Sequence, residues 1–150
     1  MTGMSFTWRL AGRGWANCAV ADDHAGAEAT ASYISAAPEE LLAAVARLVA
    51  GEKQTRAHFE AEPTVYRWIF YREGDDVWIQ LLQLADRGKH DKAGTEIWSS
   101  WQTTGTLAKA IIRGFDEVEH EYGESGYHDK WGFPSPRTEL DALRNAWRSS

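Results

Sequence analysis

Apolar and polar residues alternate along three short stretches near the N-terminus. In SFTWRL, Phe6, Trp8 and Leu10 share one side. AGRG follows as a turn, then WANCAVA as a second strand, DDHAG as a turn and AEATASYIS as a third strand. A period of two with Gly and Asp punctuation predicts antiparallel strands. The period then changes. In APEELLAAVARLVAGE, residues Leu41, Leu42, Val45, Leu48 and Val49 form one helical stripe. Pro38 suits the first helical position, Glu39 and Glu40 suit the positive end, and Gly51 suits the stop.

RAHFEAE returns to strand spacing until Pro63. Beyond it lies VYRWIFYREGDDVWIQLLQL, Val65 to Leu84, which is apolar or aromatic at nearly every position. A two-residue Gly74-Asp75 loop of type II′ makes it a hairpin, with Arg72 opposite Val77, Phe70 opposite Ile79 and Trp68 opposite Leu81. One face then carries Tyr66, Trp68, Phe70, Val77, Ile79 and Leu81, the set expected in the core. The other carries Arg67, Ile69, Tyr71, Trp78, Gln80, Leu82 and Leu84, and a one-residue slip would exchange the two. That second face needs a cover or a purpose. After a polar loop, TEIWSSWQ reads as a last strand and TTGTLAKAIIRGFDEVEHEYG as a helix ended by Gly123. ESGYHDKWGFPSP reads as a loop, and a short helix follows with Ser135 as cap, Pro136 first, and Leu140, Leu143 and Trp147 on one side.

This order predicts one α+β domain over 1–150: a mainly antiparallel sheet of about six strands, one long helix between strands and two C-terminal helices, with the helices mostly on one face. So few helices leave part of the second sheet face uncovered.

Composition changes the picture in two ways. Eight Trp in 150 residues raise the expectation of an aromatic surface patch, because aromatics dominate cores and interfaces alike. The formal net charge of −6 argues against nucleic acid or an anionic membrane as partner, since both need a basic patch. Between Gly14 and Ala46 there is no Lys or Arg, while Asp22, Asp23, Glu28, Glu39 and Glu40 are all acidic. A second acidic group is Asp116, Glu117, Glu119, Glu121 and Glu124. Such clusters are either solvated faces or a surface that steers a basic partner. The single Cys18 permits no intrachain disulfide and reads as a small buried apolar residue. With no secretory leader and no 18-residue apolar run, the expected location is cytoplasmic.

Few residues suggest catalysis. His58, Glu60 and Glu62 lie at period two on one strand face and are the polar groups of an alternative small-molecule or enzymatic pocket, against the plainer account of an exposed strand face. The H-x-E in that stretch lacks the P-C-x-x-C partner of zinc deaminases. Glu117 and His120 have E-x-x-H spacing but occur once, where di-metal carboxylate bundles need two copies. Asp22, Asp23 and His24 fit an ordinary turn. No Walker, Rossmann, G-x-S-x-G or H-E-x-x-H pattern occurs, so no cofactor, metal or catalytic residue is expected and an enzyme is disfavoured. Tyr71 and Trp78, with Arg67 and Gln80 beside them and Asp75 and Asp76 at the hairpin end, instead have the composition of a protein-binding hot spot. Tyr127, Trp131 and Phe133 extend it, or else Trp131 and Phe133 lock the last helix onto the core.

The stretches SYISAAPEELLAAVARLVAGE, FEAEPTVYRWIFYREGDDVWIQLLQLAD and GYHDKWGFPSPRTELDAL resemble a loose group of uncharacterised small actinobacterial proteins similar in layout to the immunity proteins of polymorphic-toxin systems. The resemblance implies a non-catalytic binding protein whose partner is a toxin domain. A homo-oligomer built from the open sheet faces is the further alternative.

Overall fold

The structure, a computed structural model, describes residues 3–150. Strands β1 (Met4–Ala11), β2 (Trp15–Asp22) and β3 (Gly26–Ser32) form an antiparallel meander in that order. Helix α1 (Ala37–Val49) leads to a second meander of β4 (Gln54–Glu60), β5 (Val65–Glu73), β6 (Asp76–Leu84) and β7 (Thr95–Thr103). Helices α2 (Thr104–Trp131) and α3 (Arg137–Ser149) complete the chain. The class is α+β with antiparallel pairing throughout. The single sheet of about six strands is corrected to two sheets, of three and four strands. The reason is α1: it carries the chain away after β3, so β3 and β4 end up close but share no ladder.

Both sheets turn their apolar faces to one core, which α1, α2 and α3 also fill. In the first sheet, Phe6, Trp8 and Leu10 of β1 sit across from Val20, Cys18 and Ala16 of β2. Small residues there leave room for a helix. Helix α2 uses that room: Phe115 meets Phe6 at 5.6 Å and Trp8 at 5.5 Å between ring centroids. Gly114 makes the approach possible, because a Cβ there would lie 2.4 Å from the Phe6 ring and 2.9 Å from its carbonyl oxygen. The predicted stripe of α1 is fully buried. At ~1.5–3 kcal/mol for each such side chain, that one face contributes on the order of 10 kcal/mol before chain entropy is charged against it.

The β5–β6 register is the predicted one, and Gly74 closes the two-residue loop at φ 62. Trp68, Phe70, Val77, Ile79 and Leu81 lie in the core and Tyr66 packs at its margin. On the other face, Val65, Ile69, Leu82 and Leu84 form a small separate apolar cluster edged by Tyr71. Near the C-terminal end the expected loop is partly helical. Gly123 breaks α2 with φ 67 and ψ 176, but the chain resumes helix to Trp131 and buries Tyr127 and Trp131. A glycine in left-handed conformation ends one helical run without preventing the next. In α3 the cap is Pro136 rather than Ser135, and Leu140 and Leu143 are buried with Trp147 half-buried.

Candidate functional site

The registers of the four-stranded sheet place its outer face in rows. Gln54, Tyr71, Trp78 and Trp101 form one row across all four strands. The Trp78 and Trp101 rings lie 5.3 Å apart, tilted by 44°, and Trp101 is 47% exposed. Beside this row, Glu73 and Asp76 face each other directly at the end of the hairpin. Asp75 stands out from the turn and pairs with Arg72 at 3.7 Å. Arg72 also ties the turn to α1, its Nε donating to the Gly74 carbonyl and its Nη1 to the carbonyls of Leu48 and Val49. On the far side Gln80 donates to Glu96 at 2.9 Å.

The β2–β3 turn closes the β7 edge of the patch. The Trp98 indole donates to the Ala25 carbonyl at 3.1 Å, and the Ser100 hydroxyl to the Asp22 carboxylate at 2.7 Å. The other Asp22 oxygen accepts from the backbone N–H groups of His24 and Ala25. Partial burial pushes the Asp22 carboxyl up, but these three donors outweigh it and hold the group below its ordinary range. Between turn and indoles lies an open hollow of about 400 Å³ lined by Asp22, His24, Trp78, Ser99 and Trp101. The predicted Tyr71, Trp78, Gln80, Asp75 and Asp76 thus gather at one end of the face. Trp101 belongs with them and was not predicted.

Arg67 lies apart from this group. It is 5% exposed and spends every nitrogen inside the fold. Its Nε donates to His58 Nε2 at 2.8 Å, Nη1 to the Lys89 carbonyl and to Asp91, and Nη2 to the Arg87 carbonyl. Asp91 also takes a bidentate pair from Arg56 at 2.9 and 2.8 Å. Arg67 therefore clasps the 85–94 connection over the Val65–Ile69–Leu82–Leu84 half of the outer face, and only the Tyr71–Trp78–Trp101 half stays uncovered. It is an internal support of the proposed surface rather than a contact on it.

His58 and Glu60 enter the same ionic group. Arg87 reaches Glu40 at 3.4 Å and Glu60 at 3.5 Å. Burial, then the charges of Arg87, Arg67 and Arg56, lower the His58 pKa to about 4. A neutral imidazole accepting from Arg67 has no lone pair free for a substrate or metal on that nitrogen. Glu62 lies past the end of β4, at φ 51 before Pro63, and the three residues do not converge. Glu117 and His120 line a groove of about 640 Å³ between α2 and α3, together with Lys109, Arg113 and Arg148. Among the described residues, no three of His, Cys, Asp and Glu stand together as metal ligands, and no helix is long and apolar enough to cross a membrane. Cys18 is buried, and burial raises its thiol pKa far above the ordinary value.

No protein-family model matches the chain, and no curated protein matches it. One solved structure is similar. It is a chain of the CdiA-CT/CdiI toxin and immunity complex from Enterobacter cloacae, at a TM-score of 0.48 and 12% identity, covering 77% of this chain and 99% of that one. A likeness this distant gives no function to the present chain.

Proposed function

We propose that this chain is a non-catalytic binding protein that holds a basic protein partner through the uncovered half of its second sheet. The observation that carries the reading is the half-buried Trp78 beside the exposed Trp101, set in a row with Tyr71 and rimmed by Glu73, Asp75, Asp76 and Asp22. Large rigid aromatics surrounded by charge have the composition of a binding hot spot. Glu73 opposite Asp76 supports the sign of the partner. Like charges directly across a ladder are destabilising, and a cationic partner would relieve them. The finer reading is immunity-like: the partner is a toxin domain, the class that goes with the layout noted in the sequence. Arg67 is left out of the contact surface because its donors are occupied within the fold.

The test uses the tagged protein and its Trp78→Ala, Trp101→Ala double variant on native cell lysate, after circular dichroism melts show both folded. The reading expects one basic protein retained by the wild type at low salt, released as salt rises, and absent from the variant. Expressing that protein alone should then arrest growth, and co-expressing this chain should restore it. Retention by both forms alike would place the contact elsewhere. Growth unaffected by the partner would remove the immunity-like reading and leave the binding reading standing.

A further inference from the structure

At the opposite end of β3 from the Trp78–Trp101 patch, the chain builds a second site of different character. Tyr33, Ile34 and Phe133 are exposed large apolar side chains brought together where β3 runs into α1 and α2 runs into α3. Tyr33 and Phe133 are each half exposed, with ring centroids 6.2 Å apart and planes 31° apart. Trp131, itself buried, lies behind them. The Tyr33 ring is seated by the backbone. Its N–H donates to the Gly14 carbonyl at 2.9 Å, and the Gly14 N–H donates to the Lys130 carbonyl at 2.7 Å. A Cβ on Gly14 would come within 2.6 Å of the ring, so only glycine fits beneath it.

The cavity between these rings measures about 480 Å³, within the range of small-molecule sites. Two carboxylates line it: Glu39 from the first turn of α1 and Glu139 from the first turn of α3. One oxygen of Glu139 is buried with no hydrogen-bond partner among the described residues. Burial, and then the charge of Glu139, raise the Glu39 pKa against its own backbone N–H. Aromatic faces and paired acids call for the same complement: a cation that carries N–H groups on an apolar stem.

We propose that the cavity of Tyr33, Phe133, Trp131, Glu39 and Glu139 binds an alkylguanidinium or primary alkylammonium group. The source is either a free small amine or the arginine or lysine side chain of a polypeptide. The site is independent of the aromatic patch on the second sheet.

The test is a titration of the full chain with butylguanidinium, followed by ¹H–¹⁵N spectra at Ser35, Gly132 and the Trp131 indole. Saturable shifts with a roughly millimolar Kd are expected for so small a ligand. Butyltrimethylammonium, which has the charge but no N–H, should bind at least several-fold more weakly, and butanol should not saturate. Glu139→Gln should weaken butylguanidinium by about tenfold, as loss of one charge-assisted bond implies. Phe133→Ala, at an exposed position, should weaken it several-fold with an unchanged melt, and serves if the glutamine variant fails to fold. An acetylated Ala-Arg-Ala amide separates the sources: tighter binding than butylguanidinium marks a side-chain site, and exclusion marks a site for a free amine. No saturable shift with butylguanidinium, or equal binding of the trimethylammonium or butanol control, would overturn the proposal. Loss of binding at the aromatic patch would leave this titration unchanged.

Discussion

The His58–Arg67 bond makes the stability of the fold depend on pH in a defined window. The His58 side chain is 15% exposed, its Nε2 accepts from Arg67, and its pKa falls from 6.5 to about 4 through burial and the neighbouring arginines. The unfolded chain binds this proton near 6.5, the folded chain only near 4. Between those values the unfolded state holds more protons, so stability falls as pH falls. The contribution is fully present above 6.5 and lost toward 4. At about 1.4 kcal/mol per pH unit its full size is about 3 kcal/mol, of which about 2 kcal/mol is gone by pH 5. Asp91 and Asp22 are held low and add their own losses only below their ordinary 3.8. Glu39 is held high and acts in the opposite sense above its ordinary 4.5, so the difference between wild type and a non-titrating variant, rather than the wild-type profile alone, isolates the imidazole. The assay is urea denaturation followed by tryptophan fluorescence at several pH values, for the wild type and for His58→Gln. Glutamine keeps an acceptor for Arg67 but does not titrate. The wild type should lose about 2 kcal/mol more than the variant between pH 7 and 5. Parallel profiles would refute the assignment of His58 as a buried neutral acceptor.

Arg67→Met should destabilise the fold by roughly 3–5 kcal/mol in the same denaturation assay, because it leaves His58 Nε2 and the carbonyls of Lys89 and Arg87 without their donor and takes one of its two arginines from Asp91. Gly114→Ala should cost roughly 1–3 kcal/mol, or more if β1 cannot shift, since its methyl would overlap the Phe6 ring. Trp131→Ala should lower stability by about 3–5 kcal/mol, whereas Trp101→Ala at the half-exposed patch should change it by less than about 1 kcal/mol; equal losses by thermal melt would mean that the patch is core. Cys18 should resist a thiol-reactive dye in the folded protein and react fully in denaturant, because its thiol is buried and its pKa is raised.

What the sequence made legible follows the length of the connections. The β5–β6 hairpin turns on two residues, so counting outward from Gly74 placed Trp68 against Leu81 and divided the two faces. The β6–β7 pairing has no such anchor. Ten residues separate Leu84 from Thr95, and the register also shifts between Leu81 and Leu82. The sequence therefore showed Trp101 on a strand but could not set it beside Trp78. Arg67 looked like an outward cation because three of its four partners belong to that same connection, and two of those are backbone carbonyls that no side-chain pattern encodes. Its fourth partner, His58, lay directly across the ladder, and the period-two spacing already set it on that strand face. The division into two sheets was hidden for another reason: alternation reports which residues share a face, not which strand edges meet.

Every strand pairing in the molecule joins neighbours in sequence, yet the apolar side of the first meander is closed by residues from the other end of the chain. Phe6 meets Phe115, and Trp8 meets both Phe115 and Trp131. During synthesis, which adds about 5–20 residues each second, the first sheet leaves the ribosome several seconds before its cover exists. Until α2 emerges, Phe6 lacks Phe115 and Trp8 has only Phe59 of β4 against it, so this face is the natural target of a chaperone that binds extended apolar segments. A ribosome-stalled chain ending before residue 104 should stay protease-sensitive throughout, with resistance arriving in one step once Trp131 has cleared the exit tunnel. The two meanders are local in their hydrogen bonding, but the first is covered by rings drawn from more than a hundred positions away, about three-quarters of the chain later.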